Sequence, residues 1–119
     1  GKSPFVTGDG EQRRDMLYVD DAVSANVFAM NYKGQFKGRY FDCGTGSNIS
    51  LNEVRKIVMK HFPEVKFDYV DPRPGDVLLT KANSDELKNI GWQAQISIEK
   101  GIDSCFNKLK GEKNVNFIR

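Results

Sequence analysis

Glycine and proline punctuation constrains this chain more than any other feature. Gly8-Asp9-Gly10, Gly44-Thr45-Gly46, Pro72-Arg73-Pro74-Gly75 and Gly91 cut it into short segments. Glycine reaches backbone angles that other residues avoid, and proline fixes its own φ and removes an amide donor. No apolar run lasts more than a few residues, so strands must be short and a membrane span has no material. At 119 residues the chain fits one small domain, in which folding buries roughly two-thirds of the surface the unfolded chain exposes.

Between the breaks, the apolar residues recur with two different periods. Phe5 to Thr7 reads as a strand before the first turn, and Met16 to Val19 as a second strand. Asp20 or Asp21 then caps a helix with Val23, Val27 and Met30 at helical spacing, ended by Gly34. Arg39 to Cys43 reads as a strand. Ser50-Leu51-Asn52-Glu53 has capping-box form and opens a helix with Leu51, Val54, Ile57 and Val58 on one face, which Pro63 stops at Phe62. Val65 to Val70 alternates as a strand, and 71–76 is a rigid loop. Asn83 or Ser84 starts a short helix ended by Gly91. Ser97 caps a last one with Ile98, Ile102, Cys105, Phe106 and Leu109 on one face. The expected class is α/β, a small mixed sheet covered by helices. Residues 1–110 form the domain and 111–119 a tail unless Phe117 and Ile118 dock.

Composition excludes several classes. Eighteen Lys and Arg against sixteen Asp and Glu give +2, with the signs interleaved, so a nucleic-acid partner is not indicated. With 39% hydrophobic and 29% charged residues, and no basic-apolar leader at its start, the chain reads as a globular cytoplasmic protein without a membrane partner. It opens on Gly1-Lys2-Ser3-Pro4 without methionine, which reads as a piece of something longer. Cys43 and Cys105 sit in apolar settings and read as buried thiols rather than a disulfide. The lone His61, without Cys-x-x-Cys or a second histidine, excludes a recognisable metal site.

Catalytic patterns are missing. A dinucleotide site needs Gly-x-Gly-x-x-Gly between strand and helix, but after Gly44 and Gly46 position 49 is Ile, so a turn or helix entry is the better reading. A tyrosine activated by a lysine four residues on is absent too. The residues four after Tyr18, Tyr32, Tyr40 and Tyr69 are Ala22, Phe36, Gly44 and Arg73. What remains is a pair of arginines on turns beside acids: Arg14 in Gln12-Arg13-Arg14-Asp15, and Arg73 between prolines. Either they capture an anion, with Asp76 accepting ribose hydroxyls and Gly75 admitting a ligand close to the backbone, or they form surface pairs. In the second case Arg14 pairs with Asp15 or Asp20, and Arg73 with Asp71 or Asp76. Spacing alone favours the surface pairs.

Three stretches shift that balance. Gly8-Asp9-Gly10-Glu11-Gln12-Arg13-Arg14-Asp15-Met16-Leu17-Tyr18-Val19-Asp20-Asp21, then Phe41-Asp42-Cys43-Gly44-Thr45-Gly46 with Ser50-Leu51-Asn52-Glu53, then Arg73-Pro74-Gly75-Asp76-Val77 with Ala82-Asn83 and Leu87 to Trp92, occur in one order. This order resembles the C-terminal part of extended short-chain, NAD-dependent nucleotide-sugar epimerases and dehydratases. The resemblance implies a parent with a Rossmann part that holds NAD and the catalytic tyrosine and lysine, often as a homodimer, while this part binds a nucleoside-diphosphate sugar. It implies that Arg14 and Arg73 contact the diphosphate or ribose, that Asp76 takes the ribose hydroxyls, and that Phe5 and Thr7 flank the base. Thr7 and Met16 stand where an aromatic is commoner, and Arg13 replaces a frequent threonine, departures that bear on ligand preference. Asp20 and Asp21 are expected to cap, Trp92 to pack in the core, and the chain alone to be inactive. The alternative is a freestanding binding or interaction module without catalysis.

Overall fold

The computed structural model describes residues 3–112, so the docking expected of Phe117 and Ile118 falls outside the described residues. The elements run β1 (Phe5–Thr7), β2 (Arg13–Arg14), α1 (Val19–Asn31), β3 (Ile49–Ser50), α2 (Leu51–His61), β4 (Asp68–Val70), α3 (Asp85–Asn89) and α4 (Ile98–Glu112). The helix α4 passes the boundary drawn at 110.

The fold is mixed α/β, and in place of one small mixed sheet it has two separate two-stranded ladders, one parallel and one antiparallel. β1 runs parallel to β4 with Phe5 opposite Asp68 and Thr7 opposite Val70, a crossover that carries α1 and α2 between the two strands. β2 pairs antiparallel with β3, Arg13 opposite Ser50, and Leu79 adds a parallel bridge to Arg13. The second ladder was not legible in advance, because Arg13-Arg14 carries no apolar alternation. The strands expected at Met16–Val19 and Arg39–Cys43 do not form. Val19 already belongs to α1, with the Asp21 and Ala22 amides donating to Tyr18 O, and no ladder reaches 39–43. There, side chains do the holding: Arg39 pairs with Glu86 at 3.0 Å, and its guanidinium lies 5.2 Å from the Phe41 ring centre.

Neither Asp20 nor Asp21 caps α1. The residue before the helix is Tyr18, without a side-chain cap. Asp21 is buried and accepts the amides of Gln95 and Ile96 at 3.0 and 2.9 Å, because a carboxylate taken out of water needs donors and these two lie within reach. Asp21 thereby ties the start of α1 to the entry of α4. The apolar row of α1 is solvent-exposed instead of packed: Val23 and Val27 are 56% and 50% exposed, and Met30 is 84% exposed.

The capping box of α2 forms as read. Ser50 Oγ accepts from the Glu53 amide at 3.1 Å while the Ser50 amide donates to Glu53 Oε2 at 2.8 Å, and Phe62 closes the helix before Pro63. Ile57 on α2, Ile98 on α4 and Ile49 on β3 form a core cluster flanked by Met16, Val54 and Ile102. His61 Nε2 meets Asp103 Oδ1 at 2.7 Å across the same helix pair. Trp92 is packed as expected, its indole N–H donating to Ser24 Oγ at 2.9 Å. Ser97 Oγ accepts the Lys100 amide at the start of α4. Ser84 precedes α3 without capping it and donates to Gly44 O, while Asn83 Oδ1 takes the Asp85 amide.

Cys43 and Cys105 are both free and exposed, contrary to the buried setting read from their neighbours. Cys43 lies in the segment that forms no strand, and Cys105 lies on α4. No helix among the described residues is long and apolar enough to cross a membrane.

Candidate functional site

β1 and β4 end side by side, and both chains leave their ladder into loops. The Gly8 amide continues the pairing by donating to Val70 O at 2.8 Å, after which the backbones diverge around a cleft of about 620 Å³. Clefts at the carboxyl ends of parallel strands are where open α/β folds bind ligands, and this volume suits a small organic molecule. One wall is Thr7, Gly8 and Asp9. The other is Tyr69 to Arg73, with Asp76 and Leu78 beyond.

The structure brings four of the five sequence-predicted residues together here. Arg14 donates to Asp76 Oδ1 at 2.7 Å, and Thr7 Oγ1 reaches Asp76 Oδ2 at 3.5 Å. A turn in which the Asp76 amide donates to Arg73 O, with Gly75 at φ 79°, returns the chain so that Arg73 and Asp76 face one cleft. The surface pairs read from spacing are therefore not the ones formed. Asp76 is shared with Arg14 across 62 residues, and no described carboxylate pairs with Arg73. Phe5 shares the Thr7 face of β1 by strand alternation, is 56% exposed and does not line the cleft.

Two residues that sequence reasoning missed hold this arrangement. Gln12 is buried, and its amide nitrogen donates to Thr7 O at 2.8 Å and Thr7 Oγ1 at 3.1 Å, fixing the hydroxyl that faces Asp76. Asp15 spends both carboxylate oxygens on the backbone. Oδ1 accepts the Thr45 amide at 3.0 Å and the Thr45 hydroxyl at 2.7 Å, and Oδ2 accepts the amides of Gly46 and Ala82 at 3.1 and 3.2 Å. Partial burial works to raise the Asp15 pKa, but the Thr45, Ala82 and Gly46 hydrogen bonds outweigh it and hold the carboxyl below its ordinary value. Nothing in the spacing could have shown this, since the partners lie 30 and 67 residues away.

The same bonds decide what the Gly44-Thr45-Gly46 turn can do. A pyrophosphate cradle needs free amides, yet those of Thr45 and Gly46 are spent on Asp15, and Asp15 and Ala82 fill the space a Gly44 side chain would take. The turn does not fit a dinucleotide. A tyrosine–lysine contact does exist in space, Lys108 Nζ donating to Tyr18 Oη at 3.0 Å. That bond raises the Lys108 pKa by favouring the ammonium, and Tyr18 is buried against Gly101, away from the cleft. It fastens α4 to the start of α1.

The profile of the NAD dependent epimerase/dehydratase family matches residues 1–44. CDP-abequose synthase of Salmonella muenchen is 35% identical over 96 residues, 76% of this chain and 32% of that protein. The crystal structure of UDP-glucose 4-epimerase from Thermotoga maritima, solved with UDP-glucose, superposes with a TM-score of 0.83 at 31% identity, over 94% of this chain and 36% of that one. Residues 1–44 thus match this family, and most of the chain is similar to a part of each of these sugar-nucleotide enzymes. A further structure shares the fold at a TM-score of 0.83 and 21% identity, UDP-glucuronic acid 4-epimerase from Bacillus cereus in complex with UDP-glucuronic acid and NAD, over 93% of this chain and 36% of that one. The chain spans about a third of the length of the relatives it matches.

Proposed function

We propose that this chain is the nucleotide-sugar-binding portion of an NAD-dependent sugar epimerase or dehydratase. The observation that carries the reading is the convergence of Thr7, Arg14, Arg73 and Asp76, from three separate segments, at the end of the parallel ladder. In this reading the Arg73 guanidinium, free of any described ion pair and entropically restrained by its flanking prolines, takes the diphosphate. Arg14 uses two of its donor nitrogens on Asp76 and Arg13 O and keeps further N–H groups for phosphate or ribose. Asp76, oriented by Arg14, accepts the ribose hydroxyls.

Asp9, Asp71 and Asp76 face the same cleft as Arg73, so no broad positive field attracts the anion. Recognition rests on local hydrogen bonding, and remote binding energy of this kind positions a sugar for chemistry performed elsewhere. NAD and the catalytic tyrosine and lysine belong, in this reading, to residues outside the 119, and the chain alone turns nothing over. In the protein that contains this chain, Arg73→Ala is expected to weaken nucleoside-diphosphate binding by about tenfold or more, the loss of one charge-assisted contact. Equal affinity in wild type and variant, by titration calorimetry, refutes the assignment.

A further inference from the structure

We propose that the Thr7 hydroxyl, aimed by Gln12, sets Asp76 to hold a ribose cis-diol, which makes Thr7 a specificity-determining residue and the ligand a ribonucleoside rather than a 2′-deoxyribonucleoside diphosphate; the inference rests on the nucleotide-binding reading above. The Asp76 carboxylate is approached from both sides. Arg14 donates to Oδ1 at 2.7 Å, and the Thr7 hydroxyl stands 3.5 Å from Oδ2. Backbone pairing makes the first approach possible. The Arg13 amide donates to Leu78 O at 2.8 Å and the Thr80 amide to Arg13 O at 3.0 Å, which draws the segment that follows Asp76 against β2.

Gln12 decides where the Thr7 proton goes. The residue is buried, and its backbone is tied to the start of α2, where the Leu51 amide donates to Gln12 O at 3.2 Å. Thr7 O can only accept, so the Gln12 side-chain nitrogen must be the atom that faces it. That nitrogen donates to Thr7 O at 2.8 Å and to Thr7 Oγ1 at 3.1 Å. A hydroxyl that accepts there turns its single proton elsewhere, and Asp76 Oδ2 is the described acceptor it meets. A carboxylate oxygen offers two lone-pair positions, so with one of these donors on each, Oδ1 and Oδ2 both keep one for a ligand, and the Asp76 side chain is 31% exposed to receive it. Two adjacent acceptors held in a fixed orientation match two vicinal hydroxyls. A ribose fills both, whereas a 2′-deoxyribose fills one and leaves the other unpaired once the ligand has excluded water, the situation in which polar sites discriminate most.

The test uses the full-length protein containing this chain, titrated by calorimetry with UDP, CDP and GDP, each beside its 2′-deoxy counterpart, and with inorganic pyrophosphate as a probe without ribose. On the best-bound base the ribonucleotide is expected to bind about fivefold or more tighter than the deoxy form, the loss of one hydrogen bond to a charged group in a partly exposed site. Thr7→Val keeps the branched shape and removes the hydroxyl, and is expected to lower that ratio by about threefold or more while pyrophosphate affinity stays within about twofold. Thr7→Ser restores the hydroxyl, and with it a ratio within about twofold of wild type. A wild-type ratio below about fivefold, a Thr7→Val ratio lowered by less than about threefold, a parallel loss of pyrophosphate, or a Thr7→Ser ratio as low as that of Thr7→Val overturns the inference while leaving the nucleotide site standing. Failure of the wild type to bind any of these nucleotides overturns both.

Discussion

Replacing Asp15 by asparagine preserves shape and removes charge, and the geometry fixes the consequence. Each carboxylate oxygen receives two donors, Thr45 N–H and O–H on Oδ1, Gly46 and Ala82 amides on Oδ2. An asparagine NH2 placed at Oδ2 confronts two amides and loses both bonds. Placed at Oδ1 it loses only the Thr45 amide, because the hydroxyl can rotate and accept. The less costly orientation therefore leaves one backbone donor without its acceptor and strips charge assistance from the others. A buried donor left so costs about 1–3 kcal/mol, and partial exposure puts this site in the lower half, about 1–2 kcal/mol at neutral pH. Acid adds a sign. The folded-state pKa of Asp15 is depressed, so its contribution is present above the unfolded pKa and lost as pH falls through the folded one. Urea denaturation of wild type and Asp15→Asn should therefore show a gap at neutral pH that closes toward about pH 2. A gap under about 0.3 kcal/mol at neutral pH, or one that acid leaves unchanged, refutes the reasoning.

Further outcomes follow from burial. Ile57→Ala, at the centre of the α2–α4 contact, is expected to cost about 2–5 kcal/mol, read as a lowered urea midpoint. Val27→Asp, on the exposed row of α1, should change the stability of the 119-residue chain by no more than about 0.5 kcal/mol and should destabilise the longer protein, where that row is expected to be covered. Equal effects in the two contexts, measured by thermal denaturation, contradict that.

Local signals were readable where the chemistry is local. The Ser50–Glu53 capping box, the stop at Pro63 and the turn at Gly75 depend on residues a few positions apart, and all three stand in the structure. The burial of Trp92 was legible from its size and its place after Gly91. Long-range competition defeated the rest. Asp21 resembles a cap but is drawn to the amides of 95 and 96, and Asp76 pairs with Arg14 rather than its neighbour Arg73. Val23, Val27 and Met30 have correct helical spacing and yet face solvent, because periodicity reports a helix face without reporting what covers it. At the candidate site, the arginines and Asp76 could be named from sequence, whereas Gln12 and Asp15 are held by partners that only the fold brings near.

The central claim is that a nucleoside diphosphate sits between the ends of β1 and β4. Hydrogen exchange read by mass spectrometry on the protein containing this chain, with and without a saturating nucleoside-diphosphate sugar, tests it most directly. The account predicts slowed exchange in the peptides spanning 7–12 and 70–78, with the exposed 37–43 segment unchanged. Ligand binding with protection confined to other segments would contradict it.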